Sequence, residues 1–506
     1  MTYVVQLNGG SIKAESARTP EPSGPGALLH GERVTLAHPF GVGSFLRQGW
    51  HTFSPSFWES LAAPREHIVS PWRRLTADDP AYADPPRHDG SALGAVRSMD
   101  DDDDVILLGA LGLGARVRAD GERLEGIVEG PAVDWYVDRG SEREVLARYA
   151  EQLAHHLGAR PNTPPRVWCS WYSYFTEIDE ATMQACLEGV AGLPFDVFQT
   201  DDGWQRHIGD WEANDKFPSG MNALAARVRD AGFTPGLWIA PFIAHEHAAI
   251  FASHPDWFIA DESGAPLPVG WNWDARYYGL DLTRDDVIEH VQTVISRARG
   301  WGYDYLKLDF LFGGAMPGQR AGSMPREHAY RRGVEAIREA AGDDCYLLAC
   351  GAPIVPSIGV FDATRVSPDV APYWDDEAAS VHLREYAAPS TRNAIRTTMH
   401  RLWLRPLLAT DPDVAFFRTR GNLLSTAQRR LLQDVVQAAG FLATSDPPAW
   451  LNDLERVELA EYFAATPSVV WHAPYRFSID GRDVDVSDVV GLPVLPPAMD
   501  GQDGAV

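Results

Sequence analysis

The run Tyr305-Leu306-Lys307-Leu308-Asp309-Phe310 places a lysine two residues before an aspartate among apolar neighbours. Alternate side chains of a strand share a face, so Lys307 and Asp309 project together while Leu306, Leu308 and Phe310 project the other way. A cation beside a carboxylate favours its ionised form, which a nucleophile or general base requires. A structural ion pair filling a barrel interior is the plainer reading. Lysine is scarce here, however: Lys13, Lys216 and Lys307 are the only three among 44 basic residues. A second carboxylate, Asp369, lies in Arg365-Val366-Ser367-Pro368-Asp369, ahead of Pro372, Tyr373 and Trp374. Stiff, aromatic surroundings of this kind can raise a carboxyl pKa and let the group act as an acid, although a turn cap would look the same. Two carboxylates on different strands flanking one pocket are what glycoside hydrolysis needs.

A second acidic feature, Asp201-Asp202-Gly203-Trp204, is too polar to be buried without partners, so it binds a cation or accepts hydrogen bonds from ligand hydroxyls. Trp171, Tyr172, Trp204, Trp271, Trp273, Tyr373 and Trp374 concentrate around the same loops. Flat apolar faces beside carboxylate acceptors suit a sugar ring, with its CH faces and its rim of hydroxyls. His245 and His247 would suggest a metal only with a third ligand at a recognisable spacing, which is absent. The run 100–104 is all Asp and reads as a solvated loop, since it lacks the glycine of a calcium loop.

Such residues must be positioned by a scaffold. From about residue 166, apolar strand-like runs alternate with helical stretches, the pattern of a parallel sheet. Strands are expected at 167–170, 195–200, 234–240, 304–308, 345–349, 364–367, 401–404 and 440–443. Helices are expected at 179–192, 220–231, 284–299, 325–341 and 426–439. Eight strands over this length suit a (β/α)8 TIM barrel, in which reactive residues stand at the C-terminal strand ends. Asp201, Asp309, Cys350 and Asp369 all follow such strands. A doubly wound sheet competes, but no glycine-rich nucleotide loop follows the first strand. Residues 1–140 carry short apolar runs at 33–37, 105–111, 116–118 and 126–128, typical of an all-β domain. A linker helix is expected at 141–157, ending in a proline-rich stretch by residue 165. The catalytic barrel would occupy 166–450 and a small β domain 451–506.

The 506 residues, 45% hydrophobic and 23% charged, describe a folded chain of two or three domains. Seventy acidic residues against 44 basic ones give a formal charge of −26, which repels nucleic acids and anionic membranes and favours a neutral or cationic partner. Four irregularly spaced cysteines and the absence of a leader or an apolar span lead to the expectation of a cytoplasmic protein with free thiols.

Read together, the motifs resemble the α-galactosidases of glycoside hydrolase family 36, in order along nearly the whole barrel. They are Val167-Trp168-Cys169-Ser170-Trp171-Tyr172, Phe198-Gln199-Thr200-Asp201-Asp202-Gly203-Trp204, Trp238-Ile239-Ala240-Pro241-Phe242, Tyr305 to Phe310, Cys350-Gly351-Ala352-Pro353, Arg365 to Asp369, and Asp411-Pro412-Asp413. The resemblance implies an N-terminal β-sandwich, Asp309 as nucleophile and Asp369 as general acid/base, with no cofactor and no metal. It implies that Asp201 and Asp202 receive the 4- and 6-hydroxyls of galactose, and that Lys307, Arg365, Cys350 and Trp273 complete the sugar pocket. Trp50, in Gln48-Gly49-Trp50-His51-Thr52-Phe53, is expected as an aromatic contribution from the N-terminal domain. The chain departs from the family where many members carry a glycine-rich loop; here Gly351-Ala352-Pro353-Ile354-Val355-Pro356 stands, as in a smaller bacterial branch. The expected activity is retaining hydrolysis of α-galactosides. The same scaffold could serve α-N-acetylgalactosaminides, transfer the sugar to an acceptor, or bind carbohydrate without turnover, and a metal-dependent barrel hydrolase is a further alternative.

Overall fold

The computed structural model describes residues 1–63, 77–82, 87–98, 104–376 and 385–492. Its N-terminal part is two antiparallel sheets. One has the order Thr2–Leu7, Gly10–Glu15, Arg33–Ala37, Arg123–Val128, Ala115–Ala119, His88–Ser91. The other runs Glu21–Ser23, Gly26–Gly31, Val133–Gly140, Val105–Ala110, Leu93–Arg97, Ser44–Arg47, Phe57–Ser60. Val34, Leu36, Val117 and Leu124 of the first sheet pack on Phe45, Ile106, Leu108 and Trp135 of the second, so the two form a sandwich. The strand Val105–Ala110 explains its own unbroken apolar run. Ile106 and Leu108 enter the sandwich, while Val105 and Leu107 face a second core with Val145, Tyr149 and Leu153 of the helix Glu142–Leu157. Of the acidic run at 100–104, residues 100–103 lie outside the described residues; Asp104 pairs with Arg139 at 2.7 Å.

The second part is an eight-stranded parallel sheet. Its strands are β1 Val167–Cys169, β2 Val197–Thr200, β3 Thr234–Ile239, β4 Tyr305–Leu308, β5 Tyr346–Ala349, β6 Ala363–Arg365, β7 Ala409–Asp411 and β8 Ala443–Thr444. The hydrogen-bonded order is 7-6-5-4-3-2-1-8, and every pair is parallel. This is the connectivity of a TIM-like barrel with its seam between β7 and β8, and the Ala415 N–H bridges that seam to the Ala443 carbonyl at 2.8 Å. A helix follows each strand, the last being Asp453–Ala464 after β8.

Two expected strands are corrected. Residues 402–404 form a 3₁₀ turn, and β7 starts five residues later at Ala409. A four-residue apolar run has no decisive period, and Pro406 follows it. The expected strand 440–443 begins on Gly440, which at φ +87° is the left-handed stop of the helix Thr426–Ala439 and leaves only Ala443–Thr444 to pair. Beyond the barrel, Val469–Ala473, Arg476–Ile479 and Arg482–Asp485 form an antiparallel sheet. Its Phe477, Ile479 and Val484 belong to the same hydrophobic core as the barrel. Among the described residues, no helix is long and apolar enough to cross a membrane.

Candidate active site

Every barrel strand is buried, so its side chains meet only core, one another, or the space above the C-terminal strand ends. In that space lies a cavity of about 360 Å³, lined by Asp201, Asp202, Lys307, Asp309 and Asp369 with Phe53, Trp171, Trp238, Trp271, Asn272, Trp273, Tyr277, Phe310 and Phe312, among others. Its volume is at the lower end for small-molecule sites.

Asp309 is fixed at the end of β4 by two donors. Trp238 Nε1 donates to its Oδ2 at 3.0 Å and the Phe310 N–H to its Oδ1 at 2.7 Å. Phe310 has φ +51°, a left-handed conformation that is rare for a bulky residue and is tolerated where surrounding contacts enforce it. Gly351 makes this turn possible: a Cβ there would meet Phe310 N at 2.9 Å. Burial pushes the Asp309 carboxyl above the ordinary carboxylate range, while the Lys307 charge and the two hydrogen bonds pull against that shift. Lys307 itself hydrogen-bonds Asp201, at 2.9 Å, and reaches Asp309 through space. Burial opposes the Lys307 ammonium, but the Asp201 carboxylate outweighs it and holds the Lys307 pKa well above the lysine value.

At the end of β2, Asp201 accepts Gln199 Nε2 at 2.6 Å as well as Lys307. Asp202 accepts Gln205 Nε2 at 2.6 Å and Trp273 Nε1 at 2.7 Å, and burial pushes its pKa up to about 6. Trp273 and Asp274 form the two-residue turn between the strands Pro268–Asn272 and Ala275–Gly279, both at positive φ (51° and 58°). Asn-Gly normally occupies such a turn, so a tryptophan here is a strained choice that presents its indole to Asp202.

Asp369 is the more open carboxylate, with 35% of its side chain exposed. Arg365 of β6 reaches it at 3.1 Å and also holds Asp413 at 2.9 Å and Asp411 at 3.2 Å. Tyr172 donates its hydroxyl to Asp413, and the Val370 N–H donates to the same carboxylate at 2.9 Å. Asp413, at φ +81°, thus ties down both the arginine and the backbone beside Asp369.

The structure therefore brings Asp201, Asp202, Lys307, Asp309, Asp369, Trp171 and Trp273 to one cavity. Arg365, Tyr172 and Cys350 stand behind that wall: the first two in the Asp413 network, and Cys350 buried near Asp309, Arg365 and Lys307. Trp204 is corrected to a core residue. It is fully buried against Trp211 and Trp301, and its indole N–H donates to the Trp238 carbonyl at 3.0 Å. The chain turns at Gly203, φ +118°, and sends the next side chain inward. Trp50 is also corrected: its indole donates to Glu327 at 2.9 Å, and Phe53, three residues on, reaches the cavity instead. Trp238 and Asp413 were not singled out as site residues by sequence reasoning. Trp238 stands opposite Lys307 in the β3–β4 register, and that pairing is the signal that could have found it. His245 and His247 pack ring to ring at 4.9 Å, and among the described residues no group of three or more metal-ligating side chains is arranged to hold an ion.

The Trp238 contact makes a signed prediction. Trp238→Phe removes a hydrogen bond that lowers the Asp309 pKa, so that pKa rises further. An acid limb of kcat/KM against pH that is set by Asp309 ionisation should then move to higher pH. An unmoved limb would show that Trp238 does not act on the titrating group.

Comparisons with known proteins place the chain in a family. The Melibiase family profile matches residues 132–337. The solved structure of the α-galactosidase from Thermus thermophilus, in complex with p-nitrophenyl α-D-galactopyranoside, superposes with a TM-score of 0.92 at 41% identity, covering 97% of this chain and 100% of that one. The chain belongs to the glycoside hydrolase family 36 α-galactosidases. Family 36 architecture also appears in AgaA of Geobacillus stearothermophilus, with a TM-score of 0.58 at 18% identity over 90% of this chain and 65% of that one, a likeness of fold. Alpha-galactosidase 1 of Pediococcus pentosaceus is 26% identical over 190 residues, 35% of this chain and 25% of that relative. The family 36 match to such curated relatives thus spans a quarter of their length or less.

Proposed function

We propose that this protein is a retaining α-galactosidase that releases terminal α-linked galactose by double displacement. The observation that carries the reading is that Asp309 and Asp369, which follow different strands, line one small cavity whose remaining charged wall is Asp201, Asp202 and Lys307. Asp309 attacks the anomeric carbon while Asp369 protonates the departing oxygen; Asp369 then takes a proton from the water that frees the sugar. Asp201 and Asp202 accept hydroxyls of the galactose ring, with their orientations set by Lys307, Gln199, Gln205 and Trp273. Arg365 and Cys350 complete the pocket from behind. The aromatic walls supply flat faces for the sugar's CH surface. Two carboxylates suffice for this chemistry, so no metal or cofactor takes part, and chelators leave the rate unchanged.

We further propose that residues 166–450 carry the catalysis, with the N-terminal sandwich lending Phe53, and that the protein acts in the cytoplasm. The four buried free cysteines support that location. A panel of aryl glycosides tests the substrate. The α-galactoside should be cleaved at least about 100-fold faster than the α-glucoside, whose inverted 4-hydroxyl leaves a built polar partner unpaired, and faster than the α-N-acetylgalactosaminide, whose bulkier 2-substituent the small cavity must admit. Preferred cleavage of the N-acetylgalactosaminide would move the assignment to the other branch.

A further inference from the structure

Arg401 lies between the helix Thr391–Met399 and the 3₁₀ turn Leu402–Leu404, and its side chain is completely buried. Among the described residues no carboxylate pairs with it. Burial presses its pKa down, and with the Arg47 charge adding to the effect it falls to about 9. A buried guanidinium without a counter-ion is costly unless its donors are all met. Here they are met mostly by one loop. Arg401 Nε donates to Ser56 Oγ at 3.0 Å, one terminal nitrogen to the carbonyls of Thr52 (2.6 Å) and Val366 (3.1 Å), and the other to those of His51 (3.0 Å) and Ser54 (2.7 Å). Four of the five partners belong to the N-terminal loop that carries Phe53; the fifth follows β6, three residues before Asp369.

The loop is shaped to receive this fork. A Cβ on Gly49 would lie 2.8 Å from a terminal nitrogen of Arg401 and 2.5 Å from the Ser54 Cβ, so only glycine allows the approach. His51 in turn stacks on Phe312, centroids 4.8 Å apart, and Phe312 and Phe53 both line the cavity.

We infer that Arg401 is a positioning residue that clamps the N-terminal loop to the barrel and thereby holds Phe53 in the cavity wall. It acts on ground-state binding and leaves the chemical step alone. The kinetic part of this inference rests on the reading as an α-galactosidase; the anchoring part does not.

The experiment is a double-mutant cycle of Arg401→Lys and Phe53→Ala on an aryl α-galactoside, with hydrogen exchange of the peptide spanning residues 48–56 followed in the same proteins. Lysine keeps the charge but cannot span five acceptors. Phe53→Ala should raise KM about 10-fold with kcat within about 2-fold, and Arg401→Lys should raise KM about 5-fold. The double variant should match Phe53→Ala, because the clamp then has nothing to position. Exchange in 48–56 should accelerate in Arg401→Lys and Gly49→Ala while the barrel strands stay protected. Additive effects on KM, or unchanged exchange in 48–56, would overturn the inference. Wild-type protein that turns over no α-galactoside would fail the functional reading instead, and the exchange data would still decide the clamp.

Discussion

Asp309→Asn is expected to abolish turnover, by about 10⁴-fold or more in kcat, with the fold intact. Asparagine keeps the shape and the acceptor for one of the two hydrogen bonds, so lost activity reports lost nucleophilicity. Steady-state kinetics with circular dichroism on the same sample checks this. Asp309→Gly goes further by opening room beside the anomeric carbon. With azide or formate, it should regain measurable cleavage of an aryl α-galactoside. The azide product should be β-galactosyl azide, since the anion attacks the face from which Asp309 worked. The pH dependence follows from the same group. Burial raises the Asp309 pKa, and the attacking form is the anion, so kcat/KM should fall on acidification at a pH above the ordinary aspartate value near 3.9.

Asp369→Ala is expected to show a loss that depends on the leaving group. Sugar leaving groups need a proton and should be cleaved about 10²–10⁴-fold more slowly. An aryl galactoside with an acidic phenol needs none for the first step, so it should form the glycosyl-enzyme and stall there, because no base activates water. A pre-steady-state burst of phenol is the mark of that stall. Azide requires no base and should restore turnover, now giving α-galactosyl azide. Opposite anomers from the two rescued variants would assign nucleophile and acid/base separately.

Much of this arrangement could be read from residue types because charge inside a barrel is expensive. A lysine and four aspartates at apolar strand ends had to be paired or exposed to a ligand, and the structure places them around one cavity. Aromatic residues were less legible. Trp204 and Trp273 both follow acidic or polar loop residues, yet one turn at Gly203 buries the first and one at Trp273-Asp274 presents the second. The direction of a turn depends on backbone dihedrals that composition does not reveal. Trp50 and Phe53 differ likewise: they sit on one loop, and only packing against Glu327 and Arg401 decides which ring reaches the cavity. Short strands failed for a similar reason. β7 and β8 have three and two residues, too few for a period to emerge, and their place is dictated by the neighbours they pair with.

The configuration of the first product tests the central claim most directly. Proton NMR of an aryl α-galactoside digest, recorded before mutarotation, should show α-galactose appearing first. β-Galactose as the initial product would contradict a covalent intermediate on Asp309 and with it the proposed double displacement.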